Sequence, residues 1–120
     1  MKDFRQLQVW EKSHLLAKDM YRTTALFPKE ELFGLTSQLR RASVSIPTNI
    51  AEGCGRGSDT DFKRFIQISF GSASEVEYLI LLSYELGFVK EHEYLLLSEQ
   101  ITMIKKMLAS LINKLKQSTR

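Results

Sequence analysis

Histidine and acidic side chains are the groups of this chain that could hold a metal. Glu11 and His14 lie three residues apart, which is one half of the carboxylate–histidine pattern of di-iron helical bundles. The second half is missing, because His92 has no glutamate three residues before it. We therefore expect no metal and no cofactor, and interpret His14 as a packed or partly exposed helix residue.

Cys54, the only cysteine, is the one side chain that could act as a thiol nucleophile. Such a nucleophile needs a nearby base, and no histidine lies close to it in sequence. We interpret Cys54 as a small buried apolar residue and predict that the protein is not an enzyme. A single cysteine also excludes an intrachain disulfide, which favours a reducing compartment.

A glycine-rich segment, 53–58, precedes a predicted helix and could contact an anion. Free backbone amides and the helix dipole at such a point favour negative charge. The segment lacks the Lys-Ser/Thr ending and the preceding strand of a P-loop, so its simpler interpretation is a helix–helix turn. Basic residues around it nevertheless make it the first candidate for RNA phosphates or an acidic partner. The predicted contact residues, here and in the C-terminal segment, are Arg56, Lys63, Arg64, Lys105 and Lys106.

The C-terminal segment is basic in a chain whose net charge is +3 and whose pI is about 9.1. No acidic residue follows Glu99, whereas five basic residues do. Such a surface attracts nucleic acid or an acidic partner. The alternative is that these side chains only compensate the dipole at a helix C-terminus. The basic residues after Glu99 are Lys105, Lys106, Lys114, Lys116 and Arg120.

Two charged residues fall on apolar helix faces in the predicted pattern. Arg40 and Glu75 would both be desolvated there, which is costly unless each finds a partner. We expect Glu75 to pair with Arg40 or Arg41, within or between subunits, with Asn49 joining through hydrogen bonds. The predicted structural network comprises Arg40, Arg41, Asn49, Glu52 and Glu75.

Apolar residues recur every three or four positions along most of the chain, which predicts an all-α fold. The predicted helices span about 4–25, 32–54, 59–86 and 91–116, in a single domain covering 1–120. Pro47 falls inside the second helix, where we expect a kink rather than an end. Short connections predict an up-down-up-down antiparallel four-helix bundle.

The second and third predicted helices each carry two apolar stripes. A monomeric bundle needs only one per helix, so the surplus predicts a homo-oligomer. No uninterrupted apolar run approaches the ~20 residues that span a bilayer. The charged first twelve residues lack the apolar core of a signal peptide, so we expect a soluble, cytoplasmic protein with no membrane contact.

Several segments together resemble the four-helix-bundle proteins of the 23S rRNA intervening-sequence family. The longest reads SIPTNIAEG and begins at Ser45, and QLRRA, beginning at Gln38, precedes it. The resemblance covers nearly the whole chain, although His14 stands where a small residue is expected. Further matching positions are Arg56, Val9-Trp10, Phe27-Pro28, Gly71-Ser72-Ala73 and Glu75.

The resemblance implies a bacterial four-helix bundle that assembles into a barrel-like homopentamer. Members of that family are encoded within intervening sequences of bacterial ribosomal RNA genes or elsewhere in bacterial genomes, mostly without an assigned activity. A similar fold serves as the accessory protein of diversity-generating retroelements, where a basic pentamer binds the reverse transcriptase. The partners implied here are other copies of the chain, RNA or DNA, and a reverse transcriptase.

The function predicted from these observations is that of a non-enzymatic, oligomeric accessory or scaffold protein associated with RNA. The alternative is a protein–protein adaptor whose basic surface meets an acidic partner without any nucleic acid. A bundle that binds a metal or small ligand is disfavoured, because the predicted core lacks a polar constellation.

Overall fold

The computed structural model describes residues 2–118, and these form four α-helices and two short 3-10 helices, without a β-strand among them. The fold is therefore all-α, as predicted. The longest dimension is 46 Å, close to the ~42 Å expected for a helix of 28 residues, so the helices follow the long axis. Arg120 lies outside the described residues. The helices are α1, Gln8–Thr24, α2, Leu35–Cys54, α3, Asp59–Glu85, and α4, Glu91–Ser118.

Each helix packs against two neighbours, which makes the structure a four-helix bundle. Helix α1 contacts α2 and α4, and α3 contacts the same two helices. Each helix contributes one stripe of fully buried apolar side chains to the shared core, as the three–four spacing predicts. The largest of these are Leu16, Met20, Leu39, Ile46, Ile50, Ile66, Val76, Ile80, Ile101, Ile104 and Leu108.

The first α-helix begins later than the predicted residue 4. Asp3 accepts a hydrogen bond from the backbone N–H of Arg5 at 3.0 Å and caps a 3-10 helix, Phe4–Gln6. Leu7 is then extended, with φ −87° and ψ 124°, before α1 starts. A side chain that competes for backbone donors explains the difference, because such local bonds are not visible in a hydrophobic period.

The second α-helix also begins later than predicted, at Leu35 instead of residue 32. A 3-10 helix, Lys29–Glu31, occupies the connection, and Gly34 interrupts the helical path with φ −113° and ψ −112°. The Glu31 side chain then accepts a hydrogen bond from the Leu35 N–H at 3.2 Å and satisfies one free donor of the first turn of α2.

Pro47 lies inside α2, and the helix continues through it to Cys54, as the sequence predicts. Proline has no N–H, so the carbonyl of Ser43 loses its usual partner one turn earlier. The Ser43 hydroxyl does not compensate, since it is fully buried without a hydrogen-bond partner among the described residues.

Helix α3 is the one helix within residues 2–118 that is long and apolar enough to cross a membrane. This is weak evidence, because a core helix of a soluble protein has the same length and composition. Its high hydropathy has a visible cause here. Besides its buried stripe, α3 exposes Ile68 and Leu81 on the outside of the bundle.

Candidate nucleic-acid interface

The glycine-rich segment forms the turn between α2 and α3. Gly57 has φ +86°, a left-handed conformation that side chains disfavour, and lets the chain reverse. Ser58 follows in extended conformation and its Oγ accepts a hydrogen bond from the Asp61 N–H at 3.2 Å. This N-cap satisfies one free donor of α3 and fixes the direction in which the next basic side chains leave the helix.

Gly53, the residue before the last of α2, allows the two helices to approach closely. A methyl group at this position would lie 2.9 Å from the Phe65 Cβ and 3.0 Å from the Phe62 Cδ1. Since real Cβ contacts are longer, glycine is required for this packing. The close approach brings Phe65 under the arginines of the turn.

Two of the predicted contact residues, Arg56 and Arg64, lie beside the same aromatic ring. Their guanidinium carbons are 4.9 Å and 5.1 Å from the centroid of Phe65, within range for cation–π attraction. Each guanidinium also has a carboxylate close by. Arg56 donates to Glu52 at 2.9 Å, and Arg64 lies 3.7 Å from Asp61.

These carboxylates reduce the positive charge that the turn offers to an anion. Both arginines remain about half exposed and keep donors that their own carboxylates do not use. Exposed ion pairs of this kind are weak, so a phosphate can compete for the guanidinium groups. Lys63, the third predicted contact residue of the turn, is half-buried.

Lys2 is a neighbour of this cluster that the sequence analysis did not single out. Its Nζ lies 3.3 Å from Asp59 and 4.8 Å from the centroid of Phe62. Its backbone N–H donates to the Cys54 carbonyl at 3.3 Å, which ties the N-terminal segment to the end of α2. No sequence pattern marks this contact, because it joins residues more than fifty positions apart.

Lys105 does not join the cluster at the turn. Its Nζ donates to Glu77 of α3 at 2.9 Å, and its side chain is only 24% exposed. Glu77 is 13 residues beyond Arg64 on the same helix, which corresponds to ~20 Å. At physiological salt, charges that far apart act separately. Lys105 is therefore engaged in linking α3 to α4.

Lys106 is exposed and forms no hydrogen bond or ion pair with the described residues. It shares a shallow hollow on the outside of α4 with Ser110 and Lys114. No acidic residue occurs in α4 after Glu99, so this face has no carboxylate of its own. Lys114 and Lys116 extend this face, although the site prediction omitted them. The absence of acidic residues after Glu99 was the sequence signal that could have identified them.

The predicted polar network does not form within the chain. The half-buried Arg40 donates to Thr24 Oγ1 at 2.8 Å and to the Tyr21 carbonyl at 3.4 Å, and its guanidinium lies 4.7 Å from the Tyr21 ring. It therefore joins α2 to α1. The prediction of a Glu75 pair with Arg40 is wrong for the single chain, because the helical period did not show that Arg40 faces α1.

The other members of that network are separate from one another. Asn49 donates to the carbonyl and hydroxyl of Ser45 on its own helix, and Glu52 pairs with Arg56. Arg41 and Glu75 are exposed, and neither forms an ion pair or hydrogen bond with another described residue. An Arg41–Glu75 pair within the chain is therefore contradicted as well.

Cys54 and His14, considered as a nucleophile and as a metal ligand, both make packing contacts in the bundle. Cys54 is buried, and that burial raises the pKa of its thiol, which opposes formation of a nucleophilic thiolate. His14 stacks on Trp10 with ring centroids 4.8 Å apart. Within residues 2–118, histidine, cysteine and acidic side chains form no group of three that could hold a metal.

Comparison with known families finds a match over residues 5–110 to the 23S rRNA-intervening sequence protein. The chain belongs to this family. The match confirms the resemblance carried by the segments at Gln38 and Ser45, both of which lie in α2. It ends before Lys114 and Lys116, so the tail of α4 extends beyond the family match.

A solved structure supports the same membership. It is a protein of unknown function from the S23 ribosomal protein family of Bacteroides thetaiotaomicron, with 28% sequence identity and a TM-score of 0.78. The similarity covers 87% of this chain and 97% of that protein. A comparison with curated proteins finds no match.

Proposed function

We propose that this member of the 23S rRNA-intervening sequence family is a non-enzymatic, self-associating cytoplasmic scaffold that binds RNA through α4. The observation that carries the proposal is the second half of that helix, which has four lysines and no carboxylate. The family description names the intervening sequences of 23S rRNA, which makes RNA the first nucleic acid to test. We propose Arg56, Lys63 and Arg64 as a secondary contact, because Arg56 and Arg64 lie beside carboxylates.

An up-down-up-down order of the helices would place both basic regions at one end of the bundle. The contacts between neighbouring helices support antiparallel pairs. Toward the C-terminus of one helix, the contacted residue lies closer to the N-terminus of the next. Ser45 contacts Ser72 while Ile46 contacts Ser69, and Glu77 contacts Lys105 while Tyr84 stacks on Tyr94. In this order, the C-terminal lysines of α4 approach the α2–α3 turn.

The opposite end of such a bundle is acidic, which would orient the protein on a polyanion. The connections there carry Lys29 and Lys90 against a larger number of carboxylates. A polyanion would therefore be attracted at one end and repelled at the other. The acidic residues of that end are Glu30, Glu31, Glu85, Glu91 and Glu93.

The proposal that the protein has no enzymatic activity is supported by its candidate nucleophile, since burial raises the pKa of Cys54.

Self-association, with a pentamer as the expected form, is supported by exposed apolar side chains on several elements. Phe33 is 94% exposed and Tyr78 is 59% exposed. Apolar surface of this extent is typical of interaction sites. A reverse transcriptase remains a second proposed partner of the assembled form.

RNA binding is tested by replacing Lys106, Lys114 and Lys116 together with glutamine. Affinity for a labelled single-stranded RNA, measured by fluorescence anisotropy, should fall, because three phosphate contacts are lost. The slope of log affinity against log salt should decrease in magnitude by about 2. The variant with glutamine at Arg56, Lys63 and Arg64 should lose less.

A matched control replaces three lysines outside both proposed surfaces, Lys12, Lys29 and Lys90, with glutamine. This variant has the same net charge as the α4 variant and should bind RNA almost as the unaltered protein does. Equal losses in both would mean that only overall charge matters. If the unaltered protein binds no RNA even at about 50 mM salt, the nucleic-acid role fails and the adaptor alternative replaces it.

A further inference from the structure

A groove between α1 and α2 combines apolar walls with basic charge. Two adjoining hollows share Tyr21 and Val44 and form one continuous depression, the larger with a volume of about 670 Å³. We name it the basic groove. Trp10 and Phe33 contribute to opposite parts of it. Its charged lining residues are Lys18, Arg22, Arg40 and Arg41, and no carboxylate lines it.

The outer side of α3 has the complementary character. Tyr78 and Leu86 are 59% and 53% exposed there, and the exposed carboxylates of Glu75 and Glu85 lie among them. No lysine or arginine occurs between Arg64 and Lys90, so this side carries only negative charge from Ile68 to Leu86. We name it the acidic ridge, defined by Ile68, Glu75, Tyr78, Leu81, Glu85 and Leu86.

We infer that the acidic ridge of one copy occupies the basic groove of a second copy of this chain. The inference rests on the self-association proposed above and assigns the surfaces that carry it. Three properties select this occupant: a convex helix face meets a concave one, both are apolar, and their charges are opposite. Arg22 already pairs with Asp19, but a neutral or basic partner would leave Arg40 and Arg41 without counter-charges.

The unpaired charges of the single chain support this assignment. Arg41 and Glu75 are both exposed, and neither forms an ion pair or hydrogen bond with the rest of the described chain. Contact between copies would give both a partner while the apolar residues around them lose water. Once such a pair is desolvated, removing one member leaves the other charge buried without a partner, so the contact depends on both charges.

The placement of the two surfaces favours one type of assembly. Groove and ridge lie on different helices, and α3 does not contact α1. A contact between two different surfaces is heterologous, so each copy can give its ridge to one neighbour and its groove to another. Repetition of this contact closes a ring when the rotation between copies allows it, which is compatible with the expected pentamer.

Charge reversal tests the contact in the full-length chain. Arg41→Glu and Glu75→Arg each place like charges in the interface, so each variant should sediment as a monomer where the unaltered protein is assembled. We expect the apparent dissociation constant to rise by about tenfold or more. The combined Arg41→Glu/Glu75→Arg variant restores opposite charges and should assemble again. Tyr78→Ser should weaken assembly without affecting the charges.

Controls separate this contact from general charge or folding effects. Lys90→Glu and Leu95→Ser change exposed residues outside both surfaces and should leave assembly intact, and circular dichroism should show native helix content in every variant. The assigned surfaces are wrong if the unaltered protein assembles and both single reversals assemble as well. They are also wrong if the combined variant stays monomeric. In both cases the proposal of self-association itself is unaffected. A monomeric unaltered protein would overturn both. RNA affinity is read separately in the α4 variants.

Discussion

Two buried serines show that the effect of a buried hydroxyl on stability depends on whether it has a hydrogen-bond partner. Ser69 of α3 donates to the Ile46 carbonyl of α2 at 2.9 Å. Ser43 of α2 is equally buried, but its hydroxyl has no hydrogen-bond partner among the described residues. A buried donor without a partner has lost its water and gained nothing in return.

We therefore expect Ser43→Ala to raise the free energy of unfolding by about 1 kcal/mol, since it removes the unsatisfied group and favours the helix. Ser69→Ala is the matched control and should lower it by about 1 kcal/mol, because a satisfied hydrogen bond between helices is lost. Urea denaturation at one protein concentration measures both. A destabilised Ser43→Ala variant would show that the hydroxyl has a partner in solution.

At the scale of the elements, the contact between α2 and α3 depends on close approach at one glycine. Gly53 faces Phe62 and Phe65 with no room for a methyl group, whereas nothing lies within 4 Å of the position that a methyl group would occupy at Gly71. Gly71 lies in the middle of α3, where glycine weakens a helix, whereas Gly53 lies in the last turn of α2, where this effect is smaller. The main difference between the two positions is therefore the packing around Gly53.

Gly53→Ala should lower the free energy of unfolding by about 1–3 kcal/mol through overpacking, even though alanine favours the helix. Gly71→Ala should raise it by about 0.5–1 kcal/mol, because only the helix preference changes. Thermal and urea unfolding of the two variants test this difference. Similar effects from both substitutions would mean that α2 and α3 separate at Gly53 without cost.

On the scale of the whole molecule, exposed apolar residues and charge asymmetry are the basis of the proposed assembly. The aromatic ring of Phe33 and the outer residues of α3 face solvent in the single chain. If these surfaces are buried between copies, association stabilises the folded state, and the stability measured depends on concentration.

Raising the chain concentration about a hundredfold should therefore raise the thermal unfolding midpoint by about 5–10 °C. The Arg41→Glu variant should show a smaller shift, because it associates more weakly. Circular dichroism melts at two concentrations make the comparison. Coincident melts of the unaltered protein would contradict self-association in solution.

The candidate site was predictable only where its residues lie close together in sequence. The turn at 53–58 and its arginines follow from local chemistry, and the lysine-rich tail of α4 follows from composition. The separation of Lys105 from the turn did not, because its ion pair with Glu77 joins two helices. The same limit explains Arg40, whose partners lie on α1.

The sequence by itself determined four helices, their apolar stripes and the passage of α2 through Pro47, because these depend on residues within a few turns of each other. Tertiary structure decided which charges meet a partner and which face solvent. Ion pairs between helices depend on the rotation of each helix about its axis, and that rotation is set by the packing of the whole core. For this reason Glu75 and Arg41, expected in one network, lie on the surface without a partner in the single chain.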